Sequence, residues 1–201
     1  MATDPSGDSL NNSLTNVRGA IPLNDAFERL RWSVFEDVSN ILVLDEPKTQ
    51  KPGLSPFKGH VIAAELASKI PLTEIAFCID DLDANELPDY KRPKPLLVSR
   101  AGGGTVTVAD VVEQLSAYIL THKEDILMVK EACLEESAGD YGAGDGQGAT
   151  ATLGEGQGTP ANIRVFFEGF FGIIEPTMES LPVVLWAEGE APSSLDERLI
   201  Q

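Results

Sequence analysis

Residues 95–136, PLLVSRAGGGTVTVADVVEQLSAYILTHKEDILMVKEACLEE, constrain the fold more than any other part of the chain. An apolar run at 96–99 has the length and composition of a strand. Gly102, Gly103 and Gly104 follow it and form a turn in which left-handed backbone costs little. Thr107 then precedes Val108, Val111, Val112, Leu115, Tyr118 and Ile119 at the spacing of one helical stripe. Asp110 stands three residues after Thr107, a weaker version of the capping box. Thr121 and Glu124 repeat that pairing ahead of a second helical run with Ile126, Leu127, Val129, Cys133 and Leu134. The two helices are joined too closely for anything but a corner or hairpin. The expected fold is one α+β domain, a small mixed or mainly antiparallel sheet packed against the helix pair at 107–136.

A chain of 201 residues suits one domain. Residues 1–20 are polar and acidic and read as a disordered tail, leaving the domain at 21–201. Leu30, Trp32 and Val34 alternate with Arg31 and Ser33, the period of a half-buried strand, and residues 41–44 (ILVL) suggest another. Pro47, Pro52 and Pro56 make residues 45–59 a loop. Residues 60–69 (HVIAAELASK) suggest a helix ended by Pro71, and 73–79 (TEIAFCI) a strand. Residues 80–95 are polar and irregular. The glycine-rich stretch at 137–161 reads as a flexible insertion, because its composition cannot bury enough surface to offset its ordering entropy. Residues 163–174 return to apolar content, with Gly169 suggesting a bulge or a bend. Residues 181–187 form the last strand, and Ser194 caps an expected short helix at 193–201.

The formal net charge is −17 and the pI is near 4.3. Such a field repels phosphate backbones and anionic lipid, so neither nucleic acid nor a membrane is an expected partner. No run reaches the roughly 18 apolar residues of a spanning helix, and residues 1–17 lack the basic and apolar regions of a secretory leader. These features point to the cytoplasm or nucleus and to a protein partner of unread identity. The oligomeric state is not legible. Cys78 and Cys133 sit in apolar patterns, the usual setting of buried reduced thiols, and neither adjoins His60 or His122 in sequence.

Asp80, Asp81 and Asp83 are the candidate metal ligands, because carboxylates on a loop suit Mg²⁺ or Ca²⁺. Asp81, Asp83 and Asn85 open like a calcium-binding EF-hand loop, but Glu86 stands where glycine is needed and Arg92 where the bidentate glutamate belongs. The ordinary alternative is a solvated strand exit with no cofactor. The glycines at 142–148 lack the strand-to-helix context of a dinucleotide site. Gly102, Gly103 and Gly104 have that context, but no lysine accompanies them and Asp110 would repel an anion. Lys91, Arg92 and Lys94 offer a nuclear-import signal or a peptide-docking spot. Glu168, Glu175 and Glu179 flank an aromatic run, where burial would raise a carboxyl pKa.

Four segments carry a family resemblance: PLNDA at 22–26 leading into RWSV at 31–34, the segment at 67–79, VTVADVV at 106–112, and FEG at 167–169 with the strand around Trp186. Over about residues 21–188 the chain resembles an uncharacterised domain widespread in fungi, above all mushroom-forming species. That resemblance implies a shared fold and a fungal origin, and it carries no catalytic residue. The leading expectation is a non-enzymatic interaction module. The alternatives are a metal-assisted, hydrolase-type enzyme using the acidic loop, and a protein that self-associates through an edge strand near residues 163–171.

Overall fold

In a computed structural model of the chain, the residues described are 21–45, 53–84, 90–139, 163–174 and 179–190. Among them, β1 (Leu30–Arg31), β2 (Leu42–Leu44) and β3 (Leu54–Pro56) form an antiparallel sheet in that order. β4 (Glu74–Ile79), β5 (Leu96–Ser99), β6 (Val165–Phe170) and β7 (Leu181–Ala187) form a mixed sheet ordered β5-β4-β7-β6. Its central pair, β4 and β7, is parallel and the outer pairs are antiparallel. The helices are α1 (Asp80–Asp83), α2 (Val108–Thr121) and α3 (Lys123–Gly139). The molecule is the small α+β fold expected from the sequence.

The two sheets are stitched together just beyond β1. Ser33 bridges Phe166, the Val34 N–H donates to the Val165 carbonyl (2.9 Å), and the Phe167 N–H donates to the Trp32 carbonyl (2.9 Å). The edge of β6 offered by the sequence for self-association is thus taken by the chain itself at these positions.

Alternation decides which face of the mixed sheet is core. Ile75, Phe77 and Ile79 on β4, and Leu181, Val183 and Leu185 on β7, are all buried. Phe170 gathers Phe27, Phe77 and Phe167 around it at ring separations of 5.0–5.1 Å, a range typical of favourable aromatic pairs. α2 adds the predicted stripe of Val111, Val112, Leu115 and Ile119, all fully buried. Its start is a full capping box: the Asp110 N–H donates to Thr107 Oγ1 while the Thr107 N–H donates to Asp110 Oδ2. Gly102, Gly103 and Gly104 turn the chain into this helix at φ of +85°, +87° and +103°, a run that side-chain-bearing residues would resist. At Gly169 the β6–β7 register shifts, which is the expected bulge.

Several local expectations need correction. Residues 60–69 are not an α-helix. A 3-10 turn, Val61–Ala64, is capped by His60, and Leu66 and Ser68 beyond it form isolated bridges to Thr107 and Leu23. Its backbone groups are spent on other segments: the Ala67 N–H on Val106, the Glu65 carbonyl on Val108, and the Lys69 N–H on Pro22. Thr121 does not cap α3, because its hydroxyl donates to the Ala117 carbonyl one turn back in α2. The loop at 45–59 contains β3, and α1 interrupts the stretch expected to be irregular. Of the apolar residues assigned to the second helix only Ile126 is fully buried, and Cys133 is exposed. The tail at 1–20, residues 140–161 of the glycine-rich stretch and the helix expected at 193–201 lie outside the described residues. No described helix is long and apolar enough to cross a membrane.

Candidate functional site

The three candidate metal ligands occupy the single turn of α1, where carboxylates favour the positive end of a helix. They do not converge. Asp80 is exposed, Asp83 faces Arg92 at 3.8 Å in solvent, and Asp81 turns inward to Lys130 (2.9 Å). Among the described residues, no group of three or more His, Cys, Asp or Glu side chains is arranged to hold a metal ion.

Lys130 is the unexpected member of this group, a buried lysine on α3. Its ammonium donates to Asp81 Oδ1, to Glu190 (3.0 Å to Oε1) and to the Leu185 carbonyl. Ladder geometry explains why a charge sits there. The Phe167 N–H and the Val165 carbonyl both point away from β7, toward Trp32 and Val34. Their antiparallel partners Leu185 and Ala187 therefore turn their backbone groups toward β4. Yet β4 pairs with β7 only as far as Ile79 opposite Val183, then becomes α1. Lys130 donates to the stranded Leu185 carbonyl, and Glu190 Oε2 accepts from the stranded Ala187 N–H (2.7 Å). An ammonium and a carboxylate thus fill the donor and acceptor roles of the missing peptide.

This cluster plugs the carboxyl ends of the parallel strands, the place where open α/β sheets take ligands. Burial works against the Lys130 charge, but Asp81 and Glu190 outweigh it and its pKa lies above the ordinary lysine value. It is a held cation, not a nucleophilic amine, which would need a depressed pKa. Burial pushes the Asp81 carboxyl up further than Lys130 pulls it down, and Asp81 Oδ2 has no hydrogen-bond partner.

A second constellation has the right residue types for hydrolysis in the wrong order. Ser55 Oγ donates to Asp45 Oδ2 (2.7 Å), and His60 Nε2 lies 3.3 Å from Asp45 Oδ1. The carboxylate stands between serine and histidine, so no imidazole faces the hydroxyl, where a catalytic triad needs one. His60 Nδ1 is also engaged, accepting from the Ile62 N–H (3.3 Å). The hydrogen bond from Ser55 leads the causes that hold the Asp45 pKa below its usual value. The group clamps the β2–β3 hairpin to the 3-10 turn.

Cys78 and Cys133 are not bonded to each other. Cys78 is buried, and burial raises its thiol pKa, the opposite of activation. Burial, with Cys78, Tyr90 and Asp83 nearby, pushes Tyr118 up to about 12, and its hydroxyl donates to the Lys94 carbonyl (2.9 Å). Tyr118 and Gln114, which exchanges hydrogen bonds with the Ser99 backbone, lay α2 along the outer edge of β5. Lys91, Arg92 and Lys94 are exposed beside it.

What remains is the outer face of the mixed sheet, which is also apolar. Pro182, Val184 and Trp186 alternate with the buried residues of β7 and are half-buried. Trp186 lies opposite Phe166 with rings 5.7 Å apart. Register carries apolar residues across all four strands of this face, with Ala76 half-buried and Cys78 buried. Leu97 on β5 lies opposite Ala76, Cys78 lies opposite Pro182, and the Phe171 N–H donates to the Pro182 carbonyl. Leu97 and Phe171, at the two sides of this strip, are 56 % and 57 % exposed. Sequence reasoning missed the strip, although LPVVLWA is apolar in both strand phases, the pattern of a strand covered on both faces. Compared with family models, with curated proteins and with solved structures, the chain matches none.

Proposed function

We propose that this protein is a non-enzymatic interaction module that docks a protein partner on the outer strip of its mixed sheet. The observation that carries this is the pair Leu97 and Phe171, exposed on either side of half-buried Ala76 and Pro182. Apolar surface that runs on from strand to strand in this way marks interaction sites more often than scattered single residues do. The chemistry described above supports the same choice. The buried lysine is saturated, the serine faces a carboxylate and not an imidazole, and burial raises the pKa of the Cys78 thiol.

The test uses the full chain as bait in native lysate, with Leu97→Ser/Phe171→Ser as the matched control. Both positions are exposed, so the variant should fold with unchanged circular dichroism and melting temperature. A protein retained by the wild type and lost by the variant supports docking on the strip. Equal recovery by both baits, or no specific recovery by either, contradicts it.

A further inference from the structure

β5 is the last strand on its side of the mixed sheet, and alternation sets which of its peptide groups face out of the sheet. The phase that turns Leu185 and Ala187 toward β4 turns Leu181 and Val183 the same way. In the parallel register β4 meets them with the backbone groups of Ala76 and Cys78. Ile75 and Phe77 are then left to bond Val98 and Leu96 of β5. Leu97 and Ser99 therefore point their N–H and C=O groups outward. The Gln114 amide, bonded to both groups of Ser99, gives the same phase independently. The chain guards this edge at its two ends. Gln114 occupies Ser99; Pro95, just before β5, has no N–H, and Tyr118 takes the Lys94 carbonyl. Between them, no group among the described residues bonds the outward N–H or C=O of Leu97, whose side chain is exposed beside the outer strip.

Resting on the docking surface proposed above, we infer that the partner enters as an extended segment that adds an antiparallel strand at Leu97. An open strand edge offers such a segment main-chain hydrogen bonds, and alternate side chains supply the selectivity. A helix laid on the strip spends its backbone groups internally and leaves those of Leu97 unpaired. The window is one residue wide, which selects the antiparallel direction. There a single partner residue exchanges both bonds with Leu97, whereas a parallel strand needs two residues. That residue lies directly opposite Leu97, so its side chain falls on the same face of the sheet, beside the outer strip. An apolar or aromatic side chain fits that place, and its two neighbours turn to the other face. Where Gln114 gives way, the added strand reaches Ser99 as well.

The probes are the peptide Ser-Thr-Thr-Phe-Thr-Thr-Ser, whose one apolar residue pins the register, and the same peptide with its phenylalanine N-methylated. Each is titrated into the full chain and followed at the Leu97 amide by two-dimensional NMR. The plain peptide should shift that amide and slow its hydrogen exchange. N-methylation removes the N–H that meets the Leu97 carbonyl and should weaken binding several-fold. Leu97→Pro removes the outward N–H at an edge position that tolerates proline, so it should weaken the plain peptide several-fold more than Leu97→Ala. Equal binding of the two peptides, or no change at the Leu97 amide, overturns strand addition. Concentration-dependent self-association of the wild type, lost in Leu97→Pro, would give the edge to a second copy and overturn the inference as well. Leu97→Pro also joins the baits of the docking test and should lose the partner. A partner kept by Leu97→Pro but lost by Leu97→Ser/Phe171→Ser overturns strand addition and leaves docking on the strip standing. Equal recovery by all the baits overturns both.

Discussion

Removing the Lys130 ammonium leaves Asp81 and Glu190 facing each other inside the protein, with the Leu185 carbonyl unpaired. Breaking a buried ion pair from one side typically costs about 3–5 kcal/mol. Lys130→Met should therefore lower unfolding stability by that order in urea titrations, and adding Asp81→Asn and Glu190→Gln should restore part of it. A loss under about 1 kcal/mol would mean that the cluster does not seal β7. The pH dependence has two signs. The raised pKa of Lys130 contributes stability that is complete at neutral pH and is lost as pH rises through that value. The raised pKa of Asp81 acts the other way at the acid end. Its contribution is complete below the ordinary aspartate pKa of about 3.9 and is lost as pH rises through the higher folded value. Wild type should gain stability relative to Asp81→Asn on acidification from about pH 7 to 4. A constant difference between the two proteins would refute the raised carboxyl.

Elements with local signals were legible, and those held by distant partners were not. β5, β7 and α2 lie where apolar pattern and capping chemistry put them, because Thr107, Asp110 and the glycine turn act within a few residues of each other. Thr107→Ala should cost about 1 kcal/mol, measured by the urea midpoint. Residues 60–69 have a plausible helical pattern, but Val106, Val108 and Pro22 claim their backbone groups from elsewhere in the chain. β3 hid among prolines and exists because β2 pairs with it. The ion cluster had no local signal at all, since Asp81, Lys130 and Glu190 meet only when β4 stops short of β7. Of the candidate ligands, the sequence located the acidic turn but not the inward direction of Asp81. At the edge of β5, the Gln114 amide stands in for a neighbouring strand at Ser99. Gln114→Ala should cost about 1 kcal/mol and expose that edge, detectable as self-association by light scattering at high concentration. A monomeric variant would show that Tyr118 and the helix suffice to protect it.

At the scale of the whole molecule, charge and apolar surface act together. A net charge of −17 strains the compact state by self-repulsion, so moderate salt should raise the melting temperature, and a flat response would show that the repulsion is already dispersed. In the docking reading proposed above, the outer strip supplies the apolar contact. One face of the mixed sheet makes the core and the other is offered outward, with the lysine plug holding the sheet's parallel centre in place between them. The most direct test is hydrogen exchange on the full chain, alone and with the partner recovered by the wild-type bait. Protection should appear in β5 around Leu97 and in residues 166–171, with α3 and the β1–β3 sheet unchanged. Protection confined to α3 or to the β1–β3 sheet, with Leu97 and Phe171 unaffected, would contradict docking on the outer strip.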